Sequence, residues 1–125
     1  MGSAQVILLD THVALWLTTG SSSLGKQCRR VARQAAADAQ LGVSAISFWE
    51  IALLIAKRRL RSADSAREIR RQILAAGASE LPLTGEVAVL AGELDDLHSD
   101  AADRFIAATA IAYDATLITA DDRLL

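Results

Sequence analysis

Val6-Ile7-Leu8-Leu9-Asp10-Thr11 decides the reading of this chain. Four apolar residues in succession leave no polar face, so the run reads as a short strand buried on both sides and ended by Asp10. Strands of that kind belong inside parallel sheets, where helices cover both faces. The segments around it follow the same pattern. Thr11–Leu17 reads as helix, Gly20–Ser23 as loop, and residues 25–39, rich in Ala, Arg and Gln, as a second helix. Leu41–Ile46 reads as a second strand. Ser47 opens a helix to about Lys57, with Ile51, Leu54 and Ile55 at helical spacing. Another helix spans Ser65–Ala76 and stops at Gly77. Leu81-Pro82-Leu83 sits in a short strand whose proline points to a sheet edge or a strand end. Glu86–Leu94 is helical. Ala101–Tyr113 is an apolar helix expected to be buried on most sides, and Thr116–Thr119 is a final strand.

Strands alternating with helices predict an α/β fold: a central parallel sheet of four to five strands with helices on both faces. No repeat or linker divides residues 1–125, so a single domain is expected. The chain is 52% hydrophobic, enough for a core and against disorder. Alanine makes up about a fifth of it, well above ordinary usage, and that implies close helix packing. The one cysteine, Cys28, excludes an intrachain disulfide and a cysteine-built zinc site, and suits a reducing cytoplasm. No run approaches the ~20 apolar residues of a membrane span, and no signal peptide is visible at Met1-Gly2-Ser3.

A net charge of −2 hides an asymmetry: residues 1–71 carry +6 and residues 72–125 carry −8. The basic half holds Lys26/Arg29/Arg30/Arg33 and Lys57/Arg58/Arg59/Arg61 with Arg67/Arg70/Arg71. Such a split suits a nucleic-acid substrate beside a metal site, and equally suits two solvated helix faces.

Ligands of parallel sheets bind at the carboxyl ends of the strands. Asp10 follows the first strand and Asp121 the last. Glu50 lies one turn into the helix after the second strand, and Asp103 opens the helix leading into the last. The four acids should converge. Clustered carboxylates repel and need compensation. An all-oxygen set without His or Cys suits a hard ion, Mg²⁺ or Mn²⁺, able to activate water against a phosphodiester. Each acid also has an ordinary structural reading. Ser47-Phe48-Trp49-Glu50 is a capping-box pattern. Asp100 and Asp103 have N-cap and third-position spacing, Asp10 could cap the Thr11 helix, and Asp121 with Asp122 could form a turn. His12 and His98 lack partners at metal-ligand spacing, Cys28 lacks a catalytic partner pattern, and Trp16 and Trp49 are expected in the core.

Five stretches taken together resemble a known family: Leu8-Leu9-Asp10-Thr11-His12, Val43–Ala52, Leu81-Pro82-Leu83-Thr84, His98–Ala110 and Leu117–Asp121. They are similar to PIN domains, and more narrowly to the VapC-type toxins of bacterial type II toxin–antitoxin modules. The resemblance runs from about residue 6 to the last residue, with the motifs in family order. Ala101 departs from it, since the family often has Pro there; the chain also stops at Leu125, where relatives often continue into a short final strand.

The resemblance implies a Mg²⁺- or Mn²⁺-dependent endoribonuclease cutting tRNA or rRNA. It also implies a homodimer, cytoplasmic, held inactive by a cognate VapB-type antitoxin. Asp10, Glu50 and Asp103 would hold the ion directly, and Asp121 would reach it through a water molecule. Asp100 is a cap or a supporting group. Thr11, Ser47 and Thr119 are hydroxyls that could orient ligands, and Arg58, Arg59 and Arg61 are candidates for RNA phosphates. Two rivals use the same residues: another metal-dependent hydrolase, such as a phosphatase or DNA nuclease, and a catalytically idle RNA- or antitoxin-binding module.

Overall fold

The computed structural model describes residues 5–95 and 100–119. Four strands, β1 (Ile7–Leu9), β2 (Leu41–Ser44), β3 (Ser79–Leu81) and β4 (Thr116–Ile118), form one sheet in the order β3-β2-β1-β4. Every pairing is parallel. Among the described residues six helices connect them: α1 (Thr11–Thr19), α2 (Lys26–Ala37), α3 (Ala45–Ala56), α4 (Ala66–Ala75), α5 (Gly85–Glu93) and α6 (Ala101–Ala112). The expected α/β class, parallel sheet and two covered faces are all present. No helix among the described residues is long and apolar enough to cross a membrane.

The strands are short, but their alternation sorts two cores. Leu9, Leu41, Val43 and Ile118 face one layer, where α1, α2, α3 and α4 contribute Val13, Ala32, Ile51 and Ile73. Leu8 and Leu117 face the other, against Ala102 and Ile106 of α6 and Ile46 of α3. Successive strand residues point to opposite faces, so the apolar run of β1 feeds both layers at once. Leu8 and Leu9 have no exposed surface. Burying each side chain is worth roughly 1.5–3 kcal/mol. Alanine does what its abundance implied: Ala14, Ala32, Ala102 and Ala108 are buried where helices approach closely. α5 forms an outer layer, packing Val87 and Ala91 on Ala108 of α6.

Four expectations need correction or refinement. The second strand ends at Ser44 rather than Ile46, because the Ser44 hydroxyl accepts the Ile46 N–H at 3.2 Å and starts α3 there. The third strand ends at Leu81, so Pro82 lies just past it, on the edge strand, where its missing N–H breaks no ladder. The helix of residues 101–112 is buried along one face only. Ile111, in its last turn, is 57% exposed. Trp49 is not core: it is 48% exposed, whereas Trp16 is half-buried against the larger core.

Three helices end alike, with a residue other than glycine in the left-handed region: Ala39 (φ 58°), Arg58 (φ 57°) and Asp114 (φ 50°). In each case the next amide reaches back to the last turn. Gln40 N–H donates to Ala35 O at 2.7 Å, Arg59 N–H to Leu54 O at 2.8 Å and Ala115 N–H to Ala110 O at 2.8 Å. The left-handed conformation costs such a residue about 1–2 kcal/mol, partly offset by the greater entropy glycine loses on folding. Ala39 is exposed, so its methyl contributes no burial. Ala39→Gly should therefore stabilise the protein by about 0.5–1 kcal/mol, read as a raised midpoint in urea with an unchanged slope.

Candidate active site at the carboxyl edge of the sheet

The chain leaves β1 towards β2 and β3, then crosses back to place β4 on the other side of β1. In open parallel sheets the carboxyl edge at such a reversal, here between β1 and β4, is the usual ligand position. Asp10 directly follows β1 at that edge. Its N–H donates to Ile118 O at 3.0 Å, and its carboxylate Oδ1 accepts the His12 N–H at 2.9 Å as the N-cap of α1. The capping reading of Asp10 holds.

Thr11, the first residue of α1, donates its hydroxyl to Ser47 Oγ at 2.9 Å, with both residues buried. This bond fastens the opening turn of α1 to the opening turn of α3. Glu50 lies one turn beyond Ser47 on the same side of α3. The capping-box reading of Ser47 and Glu50 fails, because Ser44 is the cap and Ser47 sits inside the helix, turned to Thr11. Asp100 caps α6 by accepting the Asp103 N–H at 2.8 Å, as the spacing implied. α6 packs against α3. A groove of about 230 Å³ between them has Glu50 on the α3 side and Asp100 on the α6 side.

The acids act on one another. The Asp103 carboxyl is pushed up to about 6, first by partial burial, then by the negative charges of Asp100, Glu50 and Asp10, and by its hydrogen bond with Asp100. Asp10, Glu50, Asp100 and Asp103 therefore share one electrostatic neighbourhood. Among the described residues, however, no three such groups stand close enough to make a ready-formed metal cage. An all-carboxylate set under mutual repulsion has the chemistry a hard divalent ion fits. Asp121 and His98 lie outside the described residues. Thr119 directly follows β4.

The remaining candidates divide. His12 is exposed and tilted against the Trp16 ring, with centroids 6.3 Å apart. Cys28 is half-buried against the larger core, a packing position. Arg104 donates to the carbonyls of Gly92 (3.3 Å) and Leu94 (2.8 Å), where its charge suits the end of α5. Of Arg58, Arg59 and Arg61, only Arg59 lines the groove beside Glu50. Lys57 and Trp49 line it too and were not singled out as site residues. Their signal was present, since both lie within two turns of Glu50 on one helix. A larger open groove of about 420 Å³, lined by Lys26, Arg29, Arg30 and Arg33 of α2, contains none of the acids.

The sequence matches the PIN domain family model over residues 7–125. The chain belongs to the PIN domain family. This PIN domain is 34% identical over 119 residues to Ribonuclease VapC22 of Mycobacterium tuberculosis, covering 94% of this chain and 88% of the relative. It also superposes on a solved structure, VapBC2 from Rickettsia felis bound to a DNA fragment from their promoter. There the TM-score is 0.64 and the identity 18%, with 90% of this chain and 86% of that chain covered. At that identity the likeness speaks to the fold. The PIN resemblance read from the five motifs therefore holds.

A carboxyl that grips its proton more tightly when folded than when unfolded makes stability fall as pH rises. For Asp103 the window runs from its ordinary value of 3.8 to about 6. Below that window the folded and unfolded chains are both protonated there; above it the folded chain carries the extra repulsion. In EDTA, Asp103→Asn should gain in melting temperature relative to the wild type as pH rises across this window, and keep the gain at pH 7.5. Calorimetry at several pH values checks this. A constant difference would mean that Asp103 titrates normally.

Proposed function

We propose that this PIN domain is a VapC-type toxin: a Mg²⁺- or Mn²⁺-dependent endoribonuclease that hydrolyses RNA phosphodiester bonds and is restrained by a VapB-type antitoxin. The observation that supports the reading is the shared electrostatic neighbourhood of Asp10, Glu50, Asp100 and Asp103: partial burial raises the Asp103 carboxyl first, and the charges of Asp100, Glu50 and Asp10 raise it further. The names of the two relatives, a ribonuclease and a VapBC complex, support it. The tRNA or rRNA target, the homodimer and the cytoplasmic location follow from the same resemblance and belong to this proposal.

In this reading Asp10, Glu50 and Asp103 would hold the ion, and Asp121, outside the described residues, would support it through water. When bound, a hard divalent ion supplies Lewis acidity towards the phosphate and the attacking water. The chain's own residues do the rest. Asp10 caps the head of α1. Asp103 can hold or release a proton near pH 6, so its charge responds to whatever positive charge arrives beside it. Asp100 fixes the first turn of α6 and hence the position of Asp103. Lys57 and Arg59 supply positive charge for RNA phosphates along the groove.

Glu50→Gln separates this site from a structural role. Ser44 caps α3, so the substitution removes no cap. Melting in EDTA should be unchanged or slightly raised. The gain on adding Mg²⁺ or Mn²⁺ should be largely lost; for the wild type it is about 2.7 kcal/mol at one hundred times Kd. RNA cleavage should fall on the order of 100-fold. Equal cleavage by the two proteins would remove Glu50 from the site. A panel of RNA, DNA and phosphomonoester substrates separates the ribonuclease from other hydrolases.

Expression without an antitoxin should arrest growth, and Asp10→Asn should relieve the arrest. Asparagine caps a helix as well as aspartate, so α1 keeps its start while the anionic ligand is lost. Soluble protein levels and melting in EDTA should match the wild type. A well-folded, abundant Asp10→Asn protein that still arrests growth would point instead to sequestration by an idle binding module.

A further inference from the structure

The groove between α3 and α6 joins opposite chemistries over a short span. Glu50 and Asp100 lie on its acidic side, while Lys57 and Arg59 bring positive charge. From Trp49 to Lys57 is eight residues along α3, about 12 Å. Trp49 lines the groove while 48% exposed, although Ile51, two residues on, has no exposed surface. A large aromatic side chain left half in water beside a charged cluster is informative in a way that a scattered surface leucine is not.

The turn that places Arg59 is also unusual. Arg58 adopts the left-handed conformation (φ 57°), and Arg59 N–H returns to Leu54 O at 2.8 Å. The chain therefore folds back over the last turn of α3 and leaves Arg59 on the groove. Among the described residues neither Lys57 nor Arg59 makes an ion pair, whereas Arg70 and Arg71 of α4 pair with Glu80 and Glu68.

We infer that Trp49 is a stacking platform for an unpaired RNA base, with Lys57 and Arg59 holding the adjoining phosphates. The inference rests on the ribonuclease reading and assigns Trp49 to positioning the base beside the site. A flat indole at the wall of a groove fits a base that has left its stack. In a duplex the bases present no free face, and the A-form major groove is too narrow to admit side chains. Stacking on an aromatic side chain is worth about 1–3 kcal/mol per base, and every base can use it. Trp49 adjoins Glu50 in the chain, so the stacked base would sit next to the phosphate presented to the acids. A protein segment or a second copy of this chain could also cover an exposed tryptophan. Lys57 and Arg59, farther along the same groove and without ion-pair partners among the described residues, favour a polyanion over these.

The test uses the full chain carrying Trp16→Phe, so that Trp49 is the sole fluorophore of its kind. Stopped-flow mixing in Mg²⁺ with an unstructured oligoribonucleotide should quench Trp49 before turnover, and a blunt duplex of the same sequence should not. Trp49→Ala should lower kcat/KM on the single strand roughly 5- to 150-fold, and Trp49→Phe should restore most of it. The proposal is overturned by equal quenching from strand and duplex, or by no quenching from either. Undiminished cleavage by a folded Trp49→Ala protein overturns it too. So does a sedimentation shift from dimer to monomer on that substitution, which would make Trp49 an interface residue. Quenching by the single strand alone, with no RNA cleaved in Mg²⁺ or Mn²⁺, would sustain the stacking site and sink the ribonuclease reading instead.

Discussion

Carboxylates repel, and this fold holds four of them in one neighbourhood. Asp10, Glu50 and Asp100 each add to the upward push on Asp103. Left to themselves the side chains would separate, so the backbone must supply the constraint. It does so through helix starts. α1 begins directly after β1, α3 directly after β2, and α6 starts where it packs beside α3. Each opening turn has a fastening: Asp10 on the His12 amide, Ser44 on the Ile46 amide, Asp100 on the Asp103 amide. The buried Thr11–Ser47 hydroxyl bond ties two of those starts together. A hydroxyl pair suits that place. It satisfies both polar groups away from water, and a lost partner would leave a buried oxygen at a cost of about 1–3 kcal/mol.

The same arrangement explains which parts were legible in the sequence. The apolar run of β1 specifies a central strand without help from elsewhere, because no other position in a small α/β domain buries both faces so fully. The caps at Asp10 and Asp100 are local, three residues or fewer in reach, and local patterns reveal them. The start of α3 was not legible in the same way. Ser44 and Ser47 are both competent caps, and what separates them is Thr11, 36 residues away. Trp49 was misplaced for a related reason. Helical spacing shows that α3 has an apolar side, but the phase is set by the sheet it meets. Ile51 takes the core, and Trp49, about 200° around the helix from it, is turned outward. In α6 alanine is permissive of burial without demanding it, so a run of apolar residues overstated how much of that helix is covered.

The charge split between the two halves of the chain acquires structure of more than one kind. Part of the basic half is engaged locally. Arg70 meets Glu80 at 2.8 Å, and its guanidinium lies over the Phe48 ring, 5.5 Å from the centroid. Such exposed pairs add little stability, yet they take these cations out of the pool facing a ligand. The α2 set remains as a separate basic groove on the layer opposite α6. Lys57 and Arg59 are the ones that reach the acid-lined groove. The bland account, two solvated faces, thus describes α4 well and the end of α3 poorly.

Capping and ligand binding are not competing explanations for an acid at a helix start, and the site shows where they part. Asp10 and Asp100 would be stabilising residues in any protein with these helices, so their presence alone says little about chemistry. Glu50 is different. It is beyond the first turn of α3, where the helix dipole has faded, and its helix is capped by another residue. Among the described residues it forms no hydrogen bond or ion pair, while its charge adds to the push on Asp103. Local structure therefore gains nothing from a carboxylate at this position and is slightly burdened by it. Under the proposed function, Glu50 is the described acid whose presence a bound cation would account for most directly.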